Sequence, residues 1–230
     1  MNQQINFDEF TETYNAHLKE QTKLFTSNDG YFAQYKVDIT KKIAVNPPTI
    51  LEFGCGIGRN IPFLKKAFPN SAIVGTDISL ESLAHAKKMN SEVEFIPTAE
   101  LANSEIRFDL IFVASVYHHI PCNQRANVTK LLYKSLTSRG QLIIFEHNPY
   151  NPVTRKIVSS CPYDKGVVLL TPRTLKKFVR DAGFDLYRQG YCLFFPPWLP
   201  FLNTIEPYLK WMPVGGQYWI HATKGYGDKI

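Results

Sequence analysis

The stretch that most constrains the fold of this chain is residues 49–59, TILEFGCGIGR. An apolar run ends in three glycines with the spacing G-x-G-x-G, and a helical pattern over residues 60–68 follows directly. This order predicts a buried strand that turns tightly into a helix. Glycine permits positive φ and leaves room for a ligand against the main chain. Glu52, inside the apolar run, is expected to accept hydrogen bonds from the loop or from a cationic ligand, because an unpaired buried carboxylate is costly.

A second apolar run, residues 72–75, ends in Thr76 and Asp77. The acidic residue follows the glycines by about 20 positions, the spacing at which the tip of a second strand binds ribose hydroxyls. Dinucleotide sites usually have G-x-G-x-x-G, so the spacing here favours a ligand without pyrophosphate. A nicotinamide cofactor stays open as an alternative, because Asp77 would suit its ribose equally well.

The block LEFGCGIGRN, followed by GTDIS, closely resembles the first two motifs of the class I S-adenosylmethionine (SAM)-dependent methyltransferases. The resemblance covers residues 49–145. It implies an α/β, Rossmann-like sheet of seven strands, mostly parallel with an antiparallel last strand, and helices on both faces. It also implies SAM as the cofactor, with the glycine loop on the methionine moiety, Asp77 on the ribose and Ile78 beside the adenine.

The resemblance assigns cofactor-binding residues by position. Family members commonly have an acidic residue after the third strand that binds the adenine amino group, and Thr98 stands there instead, which leaves the backbone or Glu100 to make that contact. The implied cofactor-binding set is Glu52, Gly54, Cys55, Gly56, Gly58, Asp77, Ile78, Thr98, Ala99, Ser115 and Tyr35.

Strand and helix patterns alternate along the chain, which predicts parallel pairing through right-handed crossovers. Ser79 and Thr171 are predicted helix N-caps. Residues 153–171 have no regular pattern and predict a long loop, whose polar residues Arg155, Tyr163 and Asp164 are candidates for acceptor contact. Besides the elements given above, the predicted helices are 31–44, 80–89, 127–138 and 173–182, and the predicted strands are 93–96, 108–114, 141–146, 185–195 and 217–223.

Histidines and a glutamate follow the fourth and fifth predicted strands, at the edge where ligands bind in open α/β sheets. If the methyl acceptor is a hydroxyl or a protonated amine, a base is needed, and the candidates in order are His119, His118 and Glu146. We expect only one of the two adjacent histidines to face the site, and a structural role in tying the loop to the next helix is equally compatible with either. EHNPYNP follows the fifth strand, so it is not the amine-methylating N-P-P-Y motif, which follows the fourth.

Two segments flank or interrupt the predicted SAM domain, residues 47–230. Residues 1–46 predict two helices, 7–25 and 31–44, which the resemblance implies form a lid; Tyr31, Tyr35 and Lys36 are its candidates to reach the cofactor. Residues 196–216 are an aromatic, proline-rich insert, and an antiparallel last strand would place them at the acceptor site. An apolar acceptor pocket, peripheral membrane contact through residues 196–213 and a homodimer contact all stay open for the insert.

Composition excludes some classes of protein. The net charge of +6 would suit an anionic partner, but the basic residues are spread along predicted helices, which favours solvated faces over nucleic-acid binding. The four cysteines are scattered, so no disulfide framework is expected. His119 and Cys122 have the spacing of one pair of metal ligands, but the sequence has no second pair to complete a site, so no metal site is expected. The polar start and the lack of a long apolar run predict a cytoplasmic protein, with the inner face of the membrane as a peripheral location.

The sequence therefore predicts a SAM-dependent methyltransferase that acts on an oxygen or nitrogen of a small or lipid-linked acceptor. A looser similarity of EHNPYNP, SSCPYD and the aromatic tail to methyltransferases of bacterial surface-glycan assembly implies a sugar as that acceptor. Two alternatives stay open. One is an NAD(P)-dependent oxidoreductase, against which the lack of a helical Tyr-x-x-x-Lys pair counts. The other is a catalytically silent SAM- or RNA-binding module.

Overall fold

The computed structural model describes residues 30–225, apart from the side chains at positions 163, 186, 187 and 200. The helices are α1 Tyr31–Ile43, α2 Ile61–Ala67, α3 Leu80–Met89, α4 Thr98–Asn103, α5 Arg125–Lys134, α6 Pro152–Ser160, α7 Pro172–Asp181 and α8 Glu206–Leu209. The strands are β1 Thr49–Phe53, β2 Ala72–Asp77, β3 Glu94–Pro97, β4 Phe108–Ala114, β5 Leu136–His147, β6 Phe184–Cys192 and β7 Gln217–Lys224. Short 3-10 turns lie at Pro162–Asp164 and Pro200–Thr204.

The seven strands form one sheet in the order β3-β2-β1-β4-β5-β7-β6. Strands β1 to β5 pair in parallel, and β7 pairs antiparallel with both β5 and β6. The predicted fold, a mostly parallel seven-stranded sheet with an antiparallel last strand and helices on both faces, is confirmed. Since β1 to β5 are parallel, their carboxyl ends meet at one edge.

Apolar side chains fill both faces of the sheet, as expected for strands that read as nearly continuous apolar runs. In β4, Ile111 and Val113 belong to one buried cluster, which includes Leu132 and Leu175 of helices α5 and α7. Leu110 and Phe112 belong to the cluster on the other face, which includes residues of α1 and α2. The alternation therefore fixes β4 as a central strand covered on both sides.

Helix boundaries follow the capping residues where those residues are clear. Ser79 accepts a hydrogen bond from the Ser82 N–H, and α3 covers the predicted residues 80–89. Thr171 accepts from the Thr174 N–H, and Pro172 occupies the first turn of α7. Both predicted N-caps are confirmed.

The predicted start of the fifth strand is wrong. We expected a helix to residue 138 and a turn at residues 138–140, but α5 ends at Lys134 and β5 already begins at Leu136. Leu136 pairs with Phe108, and the register with β4 then shifts between Phe108 and Leu110. Within this irregular part of β5, Arg139 has a positive φ of 66°. A bulged strand therefore takes the place of the predicted turn.

The predicted loop at residues 153–171 is wrong in its first half, where α6 spans Pro152–Ser160, whereas residues 161–171 have no regular structure beyond the 3-10 turn Pro162–Asp164. Asn151 accepts a hydrogen bond from the Thr154 N–H and Pro152 follows it, so α6 begins with an N-cap and a proline, as α7 does.

The predicted sixth strand, residues 185–195, is too long at its end. It ends at Cys192, because Leu193 has a φ of 59° and the next two backbone N–H groups donate to Glu206 instead of to a neighbouring strand.

The predicted domain division stays a prediction, and its helix at residues 7–25 lies outside the described residues. The second lid helix is present as α1, and Val37 on it packs into the same cluster as Leu64 of α2. Among the helices described, none has the length and apolar content needed to cross a membrane.

Candidate functional site

Predicted cofactor-binding and catalytic residues from the ends of five strands lie together at the carboxyl edge of the sheet. Glu52 lies in β1, Asp77 ends β2, Thr98 follows β3, Ser115 follows β4 and Glu146 lies near the end of β5. Parallel pairing alone brings these positions to one edge, because each crossover carries the chain from the carboxyl end of one strand back to the amino end of the next. Ligands of open α/β sheets bind outside this edge.

The glycine loop takes a conformation that other residues rarely adopt. Gly54, Gly56 and Gly58 have φ angles of 69°, 51° and 79°. A Cβ at Gly54 would lie 2.5 Å from Val116 Cγ2, so this glycine lets β1 pack against the segment after β4. A Cβ at Gly56 would meet no atom within 4 Å among the described residues, so the loop opens onto space there. Cys55 beside them is buried.

Asp77 is held directly over this loop. Its carboxylate accepts a hydrogen bond from the Gly56 N–H at 2.7 Å and another from the Ser79 N–H at 3.0 Å. The predicted ribose ligand and the glycine loop are therefore adjacent.

Glu52 is the most unusual group at this edge. It is only 1% exposed, and Asn60 Nδ2 donates to its Oε1 at 2.6 Å. Its Oε2 has no hydrogen-bond partner within the described part of the chain. Burial raises the pKa of Glu52 to about 8, against opposing effects of Asn60 and Lys36. Burial also lowers the pKa of Lys36, on α1, to about 8.

The residues predicted to surround the adenine lie at the ends of β2 and β3. Ile78 is 59% exposed beside Asp77. Thr98 opens α4, and its Oγ1 lies 3.3 Å from Thr76 Oγ1. Ala99 is exposed on the same turn. An apolar side chain next to a carboxylate would suit a nucleoside base and its ribose.

A cluster of histidines and carboxylates occupies the ends of β4 and β5. His118 Nδ1 lies 2.7 Å from Glu146 Oε2, and its Nε2 lies 3.4 Å from Asp164 Oδ1. His119 Nε2 lies 3.3 Å from the same Asp164 oxygen, and the rings of His118 and His147 are 4.9 Å apart. Glu146 also accepts from the Tyr117 N–H at 2.7 Å. Both adjacent histidines approach Asp164, but only the His119 side chain is partly exposed, at 18% against 1% for His118, and the expectation that only one of them faces the site stays a prediction.

Charge is concentrated on one histidine of this cluster. Burial opposes protonation of His118, but Glu146 and Asp164 outweigh it and raise its pKa to about 9. Burial and the charge of His118 lower the pKa of His119 to about 3 and that of His147 to about 4. Burial acts to raise the carboxyl pKa values, yet the His118 cation brings those of Glu146 and Asp164 down to about 2.

The aromatic insert is fastened to both α1 and the EHNPYN segment. The Tyr35 hydroxyl donates to Glu206 of α8, which also accepts from the Phe194 N–H at 2.7 Å. Asn148 is fully buried, and its Nδ2 donates to the carbonyl oxygens of Pro213 and Gly215. Tyr35 therefore contacts the insert, although the sequence placed it among the cofactor-binding residues.

Sequence reasoning named most residues at this edge but missed the role of three. His147 was not singled out, although its neighbour Glu146 was. Asn148 and Asn151 form part of the EHNPYNP string, and each donates a side-chain hydrogen bond to the end of the insert, at residues 213–215. The N-cap pattern Asn-Pro would have identified the start of α6, but it carries no information about the insert.

Three comparisons with known proteins bear on this site. Residues 51–142 match a family model described as "Methyltransferase domain". The chain is 27% identical over 115 residues to a trans-aconitate 2-methyltransferase from an Azoarcus species, covering 50% of this chain and 45% of that protein. It is 27% identical over 169 residues to a demethylmenaquinone methyltransferase from Thermotoga maritima, covering 63% and 73%.

A solved structure from Thermotoga maritima has the same fold. It is titled a SAM-dependent methyltransferase, "possible histamine N-methyltransferase", and superposes with a TM-score of 0.68 at 22% identity over 95% of this chain and 98% of that one. The chain spans about half the length of several curated relatives that it matches.

Proposed function

We propose that this chain is a class I SAM-dependent methyltransferase and transfers a methyl group from SAM to a small or lipid-linked acceptor; its fold and the match over residues 51–142 support the proposal. Relatives named for trans-aconitate and demethylmenaquinone support an acceptor of small size. The acceptor atom is an oxygen or a nitrogen, as the sequence predicts.

One observation supports the cofactor assignment most strongly: Glu52 Oε2, which has no hydrogen-bond partner among residues 30–225, lies in the strand that leads directly into the open glycine loop. A buried carboxylate oxygen without a donor is costly, and the ammonium group of the methionine moiety would satisfy it. The open space at Gly56 fits the methionine chain, and Asp77 fits the ribose. Lys36, whose charge acts on Glu52, would face the methionine carboxylate.

The chemistry needs little from the protein beyond alignment. SAM supplies a methyl group on a sulfonium, which is already an activated leaving group. The chain holds the acceptor in line with that methyl and keeps water away. His119 has the more exposed side chain of the adjacent histidine pair and would contact the acceptor, whereas Glu146 is fully buried behind His118 and would position that ring.

Isothermal titration calorimetry with SAM, S-adenosylhomocysteine and NAD⁺ tests the cofactor. We expect binding of the first two and no heat from NAD⁺. Asp77→Ala should weaken SAM binding by about 1 to 3 kcal/mol, because a charged acceptor of the ribose hydroxyls is lost. Asp181→Ala, an exposed carboxylate at the end of α7, is the control. NAD⁺ binding with no response to SAM would overturn the proposal and favour the oxidoreductase.

We further propose that the acceptor is a lipid-linked sugar bound beside the aromatic insert. Within residues 196–216 four aromatic side chains are exposed: Trp198, Phe201, Tyr208 and Trp211. Exposed apolar patches of this kind mark binding surfaces, and an apolar lipid group would cover this one. The similarity of the EHNPYNP and SSCPYD strings to surface-glycan methyltransferases supports a sugar as the methylated part.

Transfer of radiolabelled methyl to lipid and aqueous fractions of a bacterial extract tests the acceptor. We expect label from SAM in the lipid fraction, and Trp198→Ala with Trp211→Ala should reduce that labelling while SAM affinity stays unchanged. Label found only in water-soluble products would contradict a lipid-linked acceptor. The control is Met89→Ala, which removes an exposed apolar side chain on α3.

A further inference from the structure

The histidine cluster at the ends of β4 and β5 has the composition of a metal site. One nitrogen from His118, one from His147 and one oxygen from Asp164 all lie within 4.8 Å of one another. They come from three separate segments: the loop after β4, the last residue of β5 and the 3-10 turn Pro162–Asp164. The only metal pairing considered from sequence, His119 with Cys122, is not this group, and Cys122 is exposed with a free thiol.

The spacing of these atoms suits a small transition-metal ion. Ligands about 2.0 to 2.2 Å from a tetrahedral ion lie roughly 3.3 to 3.6 Å from each other. His118 Nε2 and Asp164 Oδ1 are 3.4 Å apart, which is within that range. The other ligand atoms lie at most 4.8 Å from each other.

A second observation points independently to a metal ligand. His118 Nδ1 faces Glu146 Oε2 at 2.7 Å, and Glu146 is itself fixed by the Tyr117 N–H. Histidines that bind metals almost always donate their other ring N–H to a carboxylate or carbonyl, which fixes the tautomer and turns the remaining nitrogen to the metal. The nitrogen so directed here is Nε2, which faces Asp164.

The charges of the cluster agree with a divalent ion. Glu146 is fully buried and Asp164 is largely buried, so two carboxylates converge on imidazole rings in one small volume. A divalent cation on His118 Nε2 would take the place of the proton there and would balance both carboxylates. Lys36, the further cation acting on Glu146 and His147, lies on α1 rather than in the ligand set.

We propose that His118, His147 and Asp164 bind one Zn²⁺ or a similar divalent transition-metal ion, with Glu146 as the carboxylate that orients His118. Nitrogen ligands with a single carboxylate favour such ions over Mg²⁺ and Ca²⁺, which prefer oxygen ligands. Three protein ligands leave a fourth position open; the partly exposed His119, whose Nε2 lies 3.3 Å from Asp164 Oδ1, is next to the ligand set. The proposal concerns metal binding by this chain and does not depend on the methyl-transfer reaction.

The test is a titration of the chelator-treated, full-length protein with ZnCl₂ in competition with a chromogenic chelator. We expect one Zn²⁺ per chain and no competition from millimolar Mg²⁺. His147→Ala should weaken Zn²⁺ binding at least a hundredfold, and Glu146→Gln should weaken it by 10- to 100-fold as a loss of ligand orientation. His85→Ala, which removes a partly buried histidine on α3, should bind Zn²⁺ like the unmodified protein.

Folding of each variant is checked by circular dichroism and by its heat of SAM binding, so that loss of metal is separated from loss of structure. For Asp164→Asn, which keeps the size of the side chain, we expect weaker Zn²⁺ binding at unchanged SAM affinity. Substoichiometric Zn²⁺ in the unmodified protein, or equal Zn²⁺ binding by the unmodified protein and a folded His147→Ala variant, would overturn the proposal and leave the cluster as an ion network that holds the Pro162–Asp164 turn.

Discussion

At the scale of single residues, two glycines of the loop have a positive φ for different physical reasons. Gly54 and Gly56 both have left-handed backbone angles, but a Cβ would clash with Val116 at the first and enter open space at the second. Gly166 has a similar φ of 81° and, within the described residues, no neighbour within 4 Å of its ideal Cβ. The first glycine thus serves packing, whereas the open space at the second agrees with the proposed cofactor site.

We predict that alanine at these three positions has separable effects. Each variant should lose about 1 to 2 kcal/mol of unfolding free energy from the left-handed backbone. Gly54→Ala should lose a further 1 to 3 kcal/mol or so from overpacking against Val116. Gly56→Ala should match Gly166→Ala in stability but bind SAM at least about tenfold more weakly, a difference of roughly 1.4 kcal/mol. Urea unfolding and calorimetry measure the two quantities, and equal SAM affinity in the Gly56 and Gly166 variants would contradict the assignment.

Glu52 gives a pH dependence whose sign can be worked out. Its pKa of about 8 means that the carboxyl is protonated at pH 7 before the cofactor binds. If the cofactor ammonium binds the ionised form, the pKa in the complex is lower, and SAM affinity should rise with pH up to about 8, by at most tenfold per pH unit. Binding near pH 7 should therefore release protons.

Calorimetry in buffers of different ionisation enthalpy measures that release. Glu52→Gln keeps a hydrogen-bond acceptor for Asn60 and should bind SAM more weakly, with the dependence below pH 8 removed. Proton uptake instead of release, or the same pH profile in Glu52→Gln, would show that this carboxyl does not contact the cofactor.

At the scale of elements, α1 and the aromatic insert are joined by side-chain hydrogen bonds. The Tyr35 hydroxyl links α1 to Glu206, and Asn203 donates to Tyr31. Glu206 in turn accepts from the Phe194 and Phe195 N–H groups that β6 no longer uses. Helix α1 and the insert, which are far apart in the sequence, are therefore linked directly by side-chain hydrogen bonds.

Removing this link should loosen the insert without unfolding the protein. Tyr35→Phe leaves the Glu206 carboxylate with fewer donors, at a cost of about 1 to 3 kcal/mol. We expect the amides of Phe194 and Phe195 to exchange hydrogen for deuterium at least about tenfold faster, as local opening becomes easier. Tyr208→Phe, in the same insert but 78% exposed, should leave exchange unchanged. Equal exchange in the two variants would show that the hydroxyl does not hold the insert.

The same elements show how far the sequence can be read. Periodic apolar patterns located all seven strands, because each strand carries its own burial signal. α6 was missed although Asn151 and Pro152 signal a helix start; the helix is short and buries only Thr154 and Val158. Contacts such as Tyr35 with Glu206, 171 residues apart, leave no local pattern. The grouping of Asp164 with His118 and His147 likewise depends on how α6 returns the chain to the sheet edge.

At the scale of the whole molecule, two apolar clusters share one sheet. Ile111 and Phe112 are adjacent in β4 and fully buried on opposite faces. Phe112 packs against Phe145 with ring centroids 5.8 Å apart, and Ile111 belongs to the cluster that includes α5 and α7. Because every central strand contributes to both clusters, neither face can lose its packing while the other keeps the sheet.

We therefore predict a single unfolding transition whichever face is weakened. Phe112→Ala should lower the unfolding free energy by about 3 to 5 kcal/mol and Ile111→Ala by about 2 to 5 kcal/mol, because each leaves a buried cavity. Met89→Ala, at an exposed site on α3, should change it by less than about 0.5 kcal/mol. Urea unfolding followed by both far-ultraviolet circular dichroism and tryptophan fluorescence measures this. Transitions that coincide in both variants indicate one cooperative unit, whereas two separate midpoints in either variant would mean that the faces unfold independently.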